Sequence, residues 1–443
     1  MPLVPASVRA RLRGIRLLEP LRERDFALLT GGAFVSLLGD GFFSVALAWQ
    51  VYQISNVPTA LSVVGVAWTL PLVLFLLLGG VFTDRYDRRL LMIGADIVRA
   101  AAIGLMGILS VADAIQLWHI MVLIAFVGIG DAFFNPASTA MVPDLLPEEK
   151  LPQANALNGL VRPLTVRLAG PAIGGFVIAV AGPGAAFLVD GASFLLSAAA
   201  IAAIRARPAV GAVAHGVRQT LVEVREGLVF VLANPWCWAT LVAAMLSLLV
   251  FIGPMQVLLP YLVKNRLGLG PEALGSIFAV GGVGSVLAAI WVGQRGLPRL
   301  RITAMYACWS IGVAMFVGYG IMDSLWHAFV VAFATAAFFE VGQIIWITLL
   351  QTLVPRRLLG RVVSLDWLMS TGLVPVSFAL TGPVSAALGP GTTMIAAGLI
   401  GAFVMGALLF VPGVRDPERG PHPAALGGGD GRLVAAPEVE VRK

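Results

Sequence analysis

The sequence predicts an all-α membrane protein whose twelve transmembrane helices form two parallel six-helix halves. Three observations carry that prediction. Of the 443 residues, 58% are hydrophobic and only 12% are charged, where soluble globular proteins average about 45–50% apolar and about 25% charged. Twelve apolar stretches come close to the roughly 20 residues needed to cross a bilayer core. Finally, two short patterns recur at nearly one spacing, which divides the chain into equivalent halves.

The spans read from hydropathy are 27–52, 58–82, 90–111, 118–142, 153–181, 184–204, 237–262, 271–293, 302–322, 327–353, 364–387 and 391–412. Most connections are short, so successive helices are antiparallel neighbours. The 50 glycines run through these apolar stretches, as expected where helices approach closely in lipid. The Arg-rich segment before the first span is followed by an apolar run too long for a signal-peptide core, with no small-residue cleavage pattern. That span is expected to be retained.

The net charge of +6 is explained by orientation and not by nucleic-acid binding. With the N-terminus inside, 25 of the 30 Lys and Arg fall in cytoplasmic segments, and only Lys264 and Arg266 fall outside. Arg99, Arg162 and Arg167 lie within spans. Such a bias is the positive-inside pattern, and an even number of spans returns the C-terminus to the cytoplasm. Cys237, Cys308 and the four scattered histidines lack metal-ligand or disulfide spacing, so no metal is expected. An enzyme is not expected either, because no nucleophile, base and orienting group can be assembled. A Walker-type nucleotide motor is absent, since none of Lys150, Lys264 and Lys443 follows a Gly.

The repeat joins Pro147–Leu157 (PEEKLPQANAL) to Pro355–Leu365 (PRRLLGRVVSL) at an offset of 208 residues. Ala181–Gly184 (AGPG) matches Leu388–Gly391 (LGPG) at 207. Six spans per repeat put the halves in the same orientation, with a site near the midplane between them. The expected organisation is a basic N-terminus (1–26), a first half (27–204), a cytoplasmic linker (205–236), a second half (237–412) and a disordered tail (413–443). Within the linker, Val217–Leu232 alternates apolar and charged residues at near-helical spacing, an amphipathic connector.

Between the second and third spans stands Gly80-Val-Phe-Thr-Asp84-Arg85-Tyr-Asp87-Arg88-Arg89. An acid and three Arg in a tight turn can pair with each other and with helix ends, either as a latch or as a simple basic anchor. Gly at a helix end permits close packing. The turn resembles the loop signature G-x-x-x-D-R-x-G-R-R of the major facilitator superfamily, with Asp87 where that family usually has Gly. In the fifth span, Gly170, Pro171, Gly174 and Gly175 resemble the end of its antiporter motif, although Val166 and Arg167 stand where an upstream Gly is usual. Ser36–Asp40, Asp131–Pro136, Thr165–Arg167 and Gly360–Val362 are similar to bacterial exporters that include macrolide efflux proteins and the enterobactin exporter.

The resemblance implies the major facilitator fold and proton-driven multidrug efflux, by antiport, in the inner membrane. It implies no bound cofactor, and as partners only protons, the bilayer and a lipophilic solute. A monomer is expected. Other cargoes of the same fold, a siderophore or a lysophospholipid, stay open, as does a receptor or scaffold that has lost coupling.

Charged groups within a bilayer cost roughly 2.5–3.5 kcal/mol each and usually face the bundle interior. Asp40, Asp131 and Glu340 fall near the middle of spans, the last two about 209 residues apart. An acid beside a movable cation can bind and release a proton, and Arg162 and Arg167 are the candidate partners. Glu340 is the first choice for a proton site, since its own helix brings no other charge near it. A static pair that orients helices is the alternative. Asp96 and Arg99, one turn apart near the inner end of the third span, are placed to pair with each other and read mainly as extensions of the loop latch, and Asp190 as interfacial. Phe42, Phe43, Trp49, Phe133, Phe134, Phe338, Phe339 and Trp346 flank these acids, and suit either a lipophilic cavity or ordinary packing.

Overall fold

The computed structural model describes residues 16–205 and 217–419. The expectations for residues 1–15, 206–216 and 420–443 lie outside the described residues, as do the side chains of Asp84 and Arg356. Among the described residues the structure is helical, without strands.

The first half consists of α1 (Arg24–Ile54), α2 (Pro58–Arg85), α3 (Arg88–Val111), α4 (Leu117–Leu145), α5 (Leu151–Arg162) and α6 (Gly170–Ala202). Helix α7 (Val217–Ala233) follows. The second half runs through α8 (Pro235–Asn265), α9 (Pro271–Arg295), α10 (Arg301–Ala314), α11 (Phe316–Ile321), α12 (Leu325–Leu353), α13 (Arg356–Gly372), α14 (Val374–Leu388) and α15 (Pro390–Leu408).

Among the described residues, eleven segments are long and apolar enough to span a membrane, one of them the 50-residue Gln153–Ala202. At 1.5 Å per residue that segment is about 75 Å long, more than twice a bilayer core. It turns sharply at Gly182, whose φ of 79° and ψ of 168° leave the helical region. A side chain there would be strained, and Pro183 begins the next helix. The eleven segments therefore make twelve crossings, with the break where the sequence placed it. Leu74, Val180, Trp326 and Phe403 are all more than 60% exposed. In water such a surface would aggregate, and in lipid it is ordinary.

Prolines stand in the first turns of α2, α8, α9 and α15, where the missing N–H costs nothing. Ser324 caps α12, and Gln116 with His119 caps α4. These two helices begin with the same triplet, Leu117-Trp-His119 and Leu325-Trp-His327, at an offset of 208. Helices α2 and α9 begin Pro58-Thr-Ala-Leu61 and Pro271-Glu-Ala-Leu274, and α3 and α10 begin at Arg88 and Arg301, all at 213. Equal helix starts fix the register between the halves.

The halves meet along α2 with α14 and α6 with α9. They also meet at one end of the bundle, where α1 touches α8. There Tyr52 Oη donates to Val257 O (2.6 Å), and Asn56 and Asn265 exchange amide hydrogen bonds of 2.6 and 3.1 Å. Lys264 Nζ donates to Tyr52 O, and the Tyr52 and Tyr261 rings lie 5.6 Å apart. Tyr52 and Tyr261, like Asn56 and Asn265, are 209 residues apart. Residues of one type, at one spacing, thus pair with each other across the halves, as expected close to the axis that relates them. At the opposite, Arg-rich end lie Arg85, Arg88, Arg89, Arg295, Arg299 and Arg361.

Candidate transport site

Helix α3 carries Asp96 and Arg99 one turn apart on its packed face, Asp96 fully buried and Arg99 4% exposed. Arg99 bonds Asp96 and reaches Asp131 on α4 at 3.0 Å. Trp68 of α2 donates its indole N–H to the other Asp131 oxygen at 3.2 Å. The guanidinium also lies 4.2 Å from the Phe134 ring centre and 4.3 Å from that of Phe194. A buried Arg is retained only with such a set of acceptors and faces. Asp40 of α1 lies within electrostatic range of Arg99, Asp131 and Arg162. Asp190 of α6 is buried with its Oδ1 bonded to Ser193 and, among the described residues, no partner for Oδ2.

This cluster revises two sequence expectations. Asp96 and Arg99 belong to the buried network and not to the loop latch. Asp190 is fully buried and not interfacial.

The fifth crossing is irregular at its centre. Between α5 and α6, Pro163–Ala169 forms a wide π turn, closed by Gly170 N–H on Thr165 O. Such turns inside helices commonly re-aim side chains at functional positions. This one presents Arg167, whose Nη1 lies 3.2 Å from Glu340 Oε2 on α12. The pair joins the two halves across the bundle. Arg167 is 59% exposed and Glu340 18%, and an exposed guanidinium in mid-span requires water to reach it. Arg162 is exposed and makes no bond to Asp40 among the described residues.

The antiporter-like glycines are the packing surface beside that turn. A Cβ on Gly170 would lie 2.7 Å from Gly41 Cα, and one on Gly174 2.7 Å from Phe42 Cα, so both seat α6 on α1. A Cβ on Gly175 would lie 2.7 Å from Pro271 O and would also crowd Gly275, so this residue seats α6 on α9 of the other half. Pro171, in the first turn of α6, lines the cavity described next.

In the loop motif, Arg88 donates to Ala140 O (2.9 Å) and pairs with Asp144, while Arg89 donates to Ile201 O (3.1 Å) and Ala202 O. The Arg residues thus bind the carboxyl ends of α4 and α6, as helix dipoles favour. Arg85 is exposed. Asp87 has φ −59° and caps α3 through Arg89 N–H (2.8 Å), so this turn needs no left-handed residue and Asp serves where Gly is usual. Gly80 meets nothing within 4 Å among the described residues, whereas a Cβ on Gly79 would run into Ala132 O. The close-packing glycine is therefore Gly79, one residue earlier than expected.

A cavity of about 510 Å³ opens almost wholly within the second half. Phe251, Phe278, Trp309, Phe339 and Trp346 line it together with Gln256, Gln343 and Asp366, and the first half contributes Ser44, Val166, Arg167 and Pro171. Its size and mainly apolar walls are those of a small-molecule site. Of the aromatics flagged in the sequence, Phe339 and Trp346 face the cavity. Phe42 packs on Gly174, Phe43 on Trp68 and Phe187, and Phe134 under Arg99. Asp366, to which Trp346 Nε1 donates at 3.3 Å, was not singled out in the sequence because it stands near the end of its span. The signal was present: an acid within apolar residues 362–380.

With the register set by helix starts, Trp68, Asp96, Arg99 and Asp131 correspond to Gly281, Trp309, Gly312 and Phe339. The Phe339 ring lies against Gly312, just as Asp131 bonds Arg99. The cavity occupies the place that charges fill in the first half. Asp131 and Glu340 are consequently not equivalent. One residue is about 100° on a helix, so Asp131 points into its own half and Glu340 toward the other.

Two helical halves around an axis, closed at one end, with an apolar cavity in one half and a mid-span ion pair between the two, define a multi-pass membrane transporter. The chain matches the transmembrane secretion effector model of the major facilitator superfamily over residues 16–419 and belongs to that family. It is a transporter and not an enzyme. The multidrug efflux pump Tap of Mycobacterium bovis is 30% identical over 390 residues, covering 84% of this chain and 90% of that protein. Macrolide efflux protein A of Streptococcus pyogenes is 24% identical over 362 residues, 80% and 88% of the respective chains. Among solved structures, a bacterial homologue of the human lysosomal transporter Spinster, inward-facing and occupied, superposes with a TM-score of 0.67 at 15% identity. It covers 88% of this chain and 97% of that one.

Proposed function

We propose that the chain exports lipophilic small molecules, drugs among them, from bacteria by proton antiport with alternating access. The observation that carries this reading is the Arg167–Glu340 ion pair, which links the halves beside the cavity. Ionised, Glu340 holds Arg167. A proton taken up by its carboxylate removes the charge, frees Arg167 and unties the halves. Closure at Tyr52 and Asn56 fits the state in which Glu340 has given its proton to the inside and the cavity awaits a solute. Asp40, Asp131 and Arg162 lie in or near the first-half network and would respond to the same movement.

A potential of 100 mV contributes about 2.3 kcal/mol for each charge that moves inward. In this reading no cofactor is needed beyond the proton gradient, and the partners are the bilayer, protons and the solute. The protein acts as a monomer in the inner membrane with both termini cytoplasmic. Gly80, Asp84, Arg85, Arg88 and Arg89 then form the inside latch, Pro171 and Gly175 the contact on which the halves rock, and Gly170 and Gly174 the seat that holds α6 to α1 during the movement. The relatives' names, a multidrug pump and a macrolide exporter, support a drug-like cargo.

Inverted membrane vesicles test the reading. With an imposed pH gradient, a macrolide or a lipophilic dye should accumulate, and a protonophore should stop it. Accumulation that survives the protonophore would exclude proton coupling, and no accumulation of any compound would favour a receptor or scaffold.

A further inference from the structure

We propose that Asp366, Trp346 and Trp309 form a subsite for the cationic head of an amphipathic organic cation. This rests on the export reading of the same cavity and names the substrate class. Asp366 and the two indoles line the cavity. Among the described residues the other acids of the bundle core with a cation in reach take it: Asp96 and Asp131 share Arg99, and Glu340 takes Arg167. Arg361, five residues before Asp366, is engaged with Glu226 of α7. Among the described residues, Asp366 has one indole N–H and no Lys, Arg or His bonded to it.

A carboxylate on an apolar wall is stable only when something neutralises it or a proton stays on it. Here the missing charge is positioned for a ligand. Asp366 is also specific to the second half, since the equivalent position in the first carries Asn158. Trp346, which bonds Asp366, and Trp309, whose ring centre lies 6.4 Å from that of Trp346, both line the cavity, and cations are attracted to indole rings. Arg167, a cation that also lines the cavity, is balanced by Glu340 and does not oppose a positive ligand. Phe251 and Phe339, 5.2 Å apart, line the remainder of the same cavity and suit the apolar body of the molecule.

The test is equilibrium binding to the full-length protein in nanodiscs with no gradient, using methyltriphenylphosphonium and its near-isosteric neutral analogue triphenylphosphine oxide. Asp366→Asn should weaken phosphonium binding by about tenfold or more and leave the oxide within about twofold. Asp366→Glu should restore the cation preference in part. Equal loss of both ligands would mean that Asp366 only holds the fold, and an unchanged phosphonium affinity, or none in the native protein, would overturn the subsite. Because no gradient is present, failure here is distinguishable from failure of proton-coupled export, which the vesicle assay reads separately.

Discussion

The two halves of this transporter share helix starts and spacing but fill their centres differently. In the first, Asp96, Arg99, Asp131 and Trp68 build a hydrogen-bonded charge network. In the second, Trp309, Gly312, Phe339 and Gly281 stand at the same positions and leave an aromatic cavity. The comparison teaches that one scaffold can be filled in two ways: one half packs a charge network at its centre, and the other leaves an apolar cavity that, on the proposed export reading, holds the solute. Glu340, displaced by one residue from the position of Asp131, reaches across to Arg167 and connects them.

Breaking the network should have the largest effect. Arg99→Ala leaves Asp96 and Asp131 without their cation, and removing one partner of a buried pair costs about 3–5 kcal/mol. Thermal unfolding in detergent should begin markedly lower, and vesicle transport should vanish. An unchanged melting profile would mean that the first half is not held by charge. On the hollow side, Phe339→Ala should leave unfolding nearly unaltered, because the ring borders a cavity. It should weaken binding of an apolar probe by about 1.5–3 kcal/mol at most, the worth of one buried Phe. Equilibrium titration checks this.

Smaller still is the interface between the halves. Gly275→Ala crowds Pro171 O, an overpacking that costs about 1–3 kcal/mol in a well-packed contact. Transport should slow more than binding weakens. The exposed Asn56–Asn265 pair sits on the axis itself, and Asn56→Ala should cost at most about 1 kcal/mol. Cysteine accessibility at the closed end should rise slightly, with transport near normal.

Much of this fold was legible in the sequence, because a membrane span is a matter of length and hydropathy. The break at Gly182 was visible as Gly-Pro-Gly between two apolar runs. The site was less legible. Glu340 and Arg167 were each recognisable as mid-span charges, but which face each takes depends on a register that shifts by about 100° per residue. The near-equality of 208 and 209 therefore concealed that Asp131 and Glu340 point to different halves. Gly79 and Gly80 posed the same problem. Asp96 and Arg99 looked like a local helix pair, and nothing in their own stretch pointed to Asp131, 32 residues on. Asp366 was overlooked because hydropathy places an acid near a span end in the interface, whereas packing carries this one into the cavity.

The division of labour is tested most directly by Glu340→Gln in proteoliposomes, with solute binding and solute-induced proton movement measured on the same preparation. Binding should stay within about threefold while proton movement falls by about tenfold or more. Proton movement that persists unchanged, or binding that is lost along with it, would contradict a role for Glu340 in coupling.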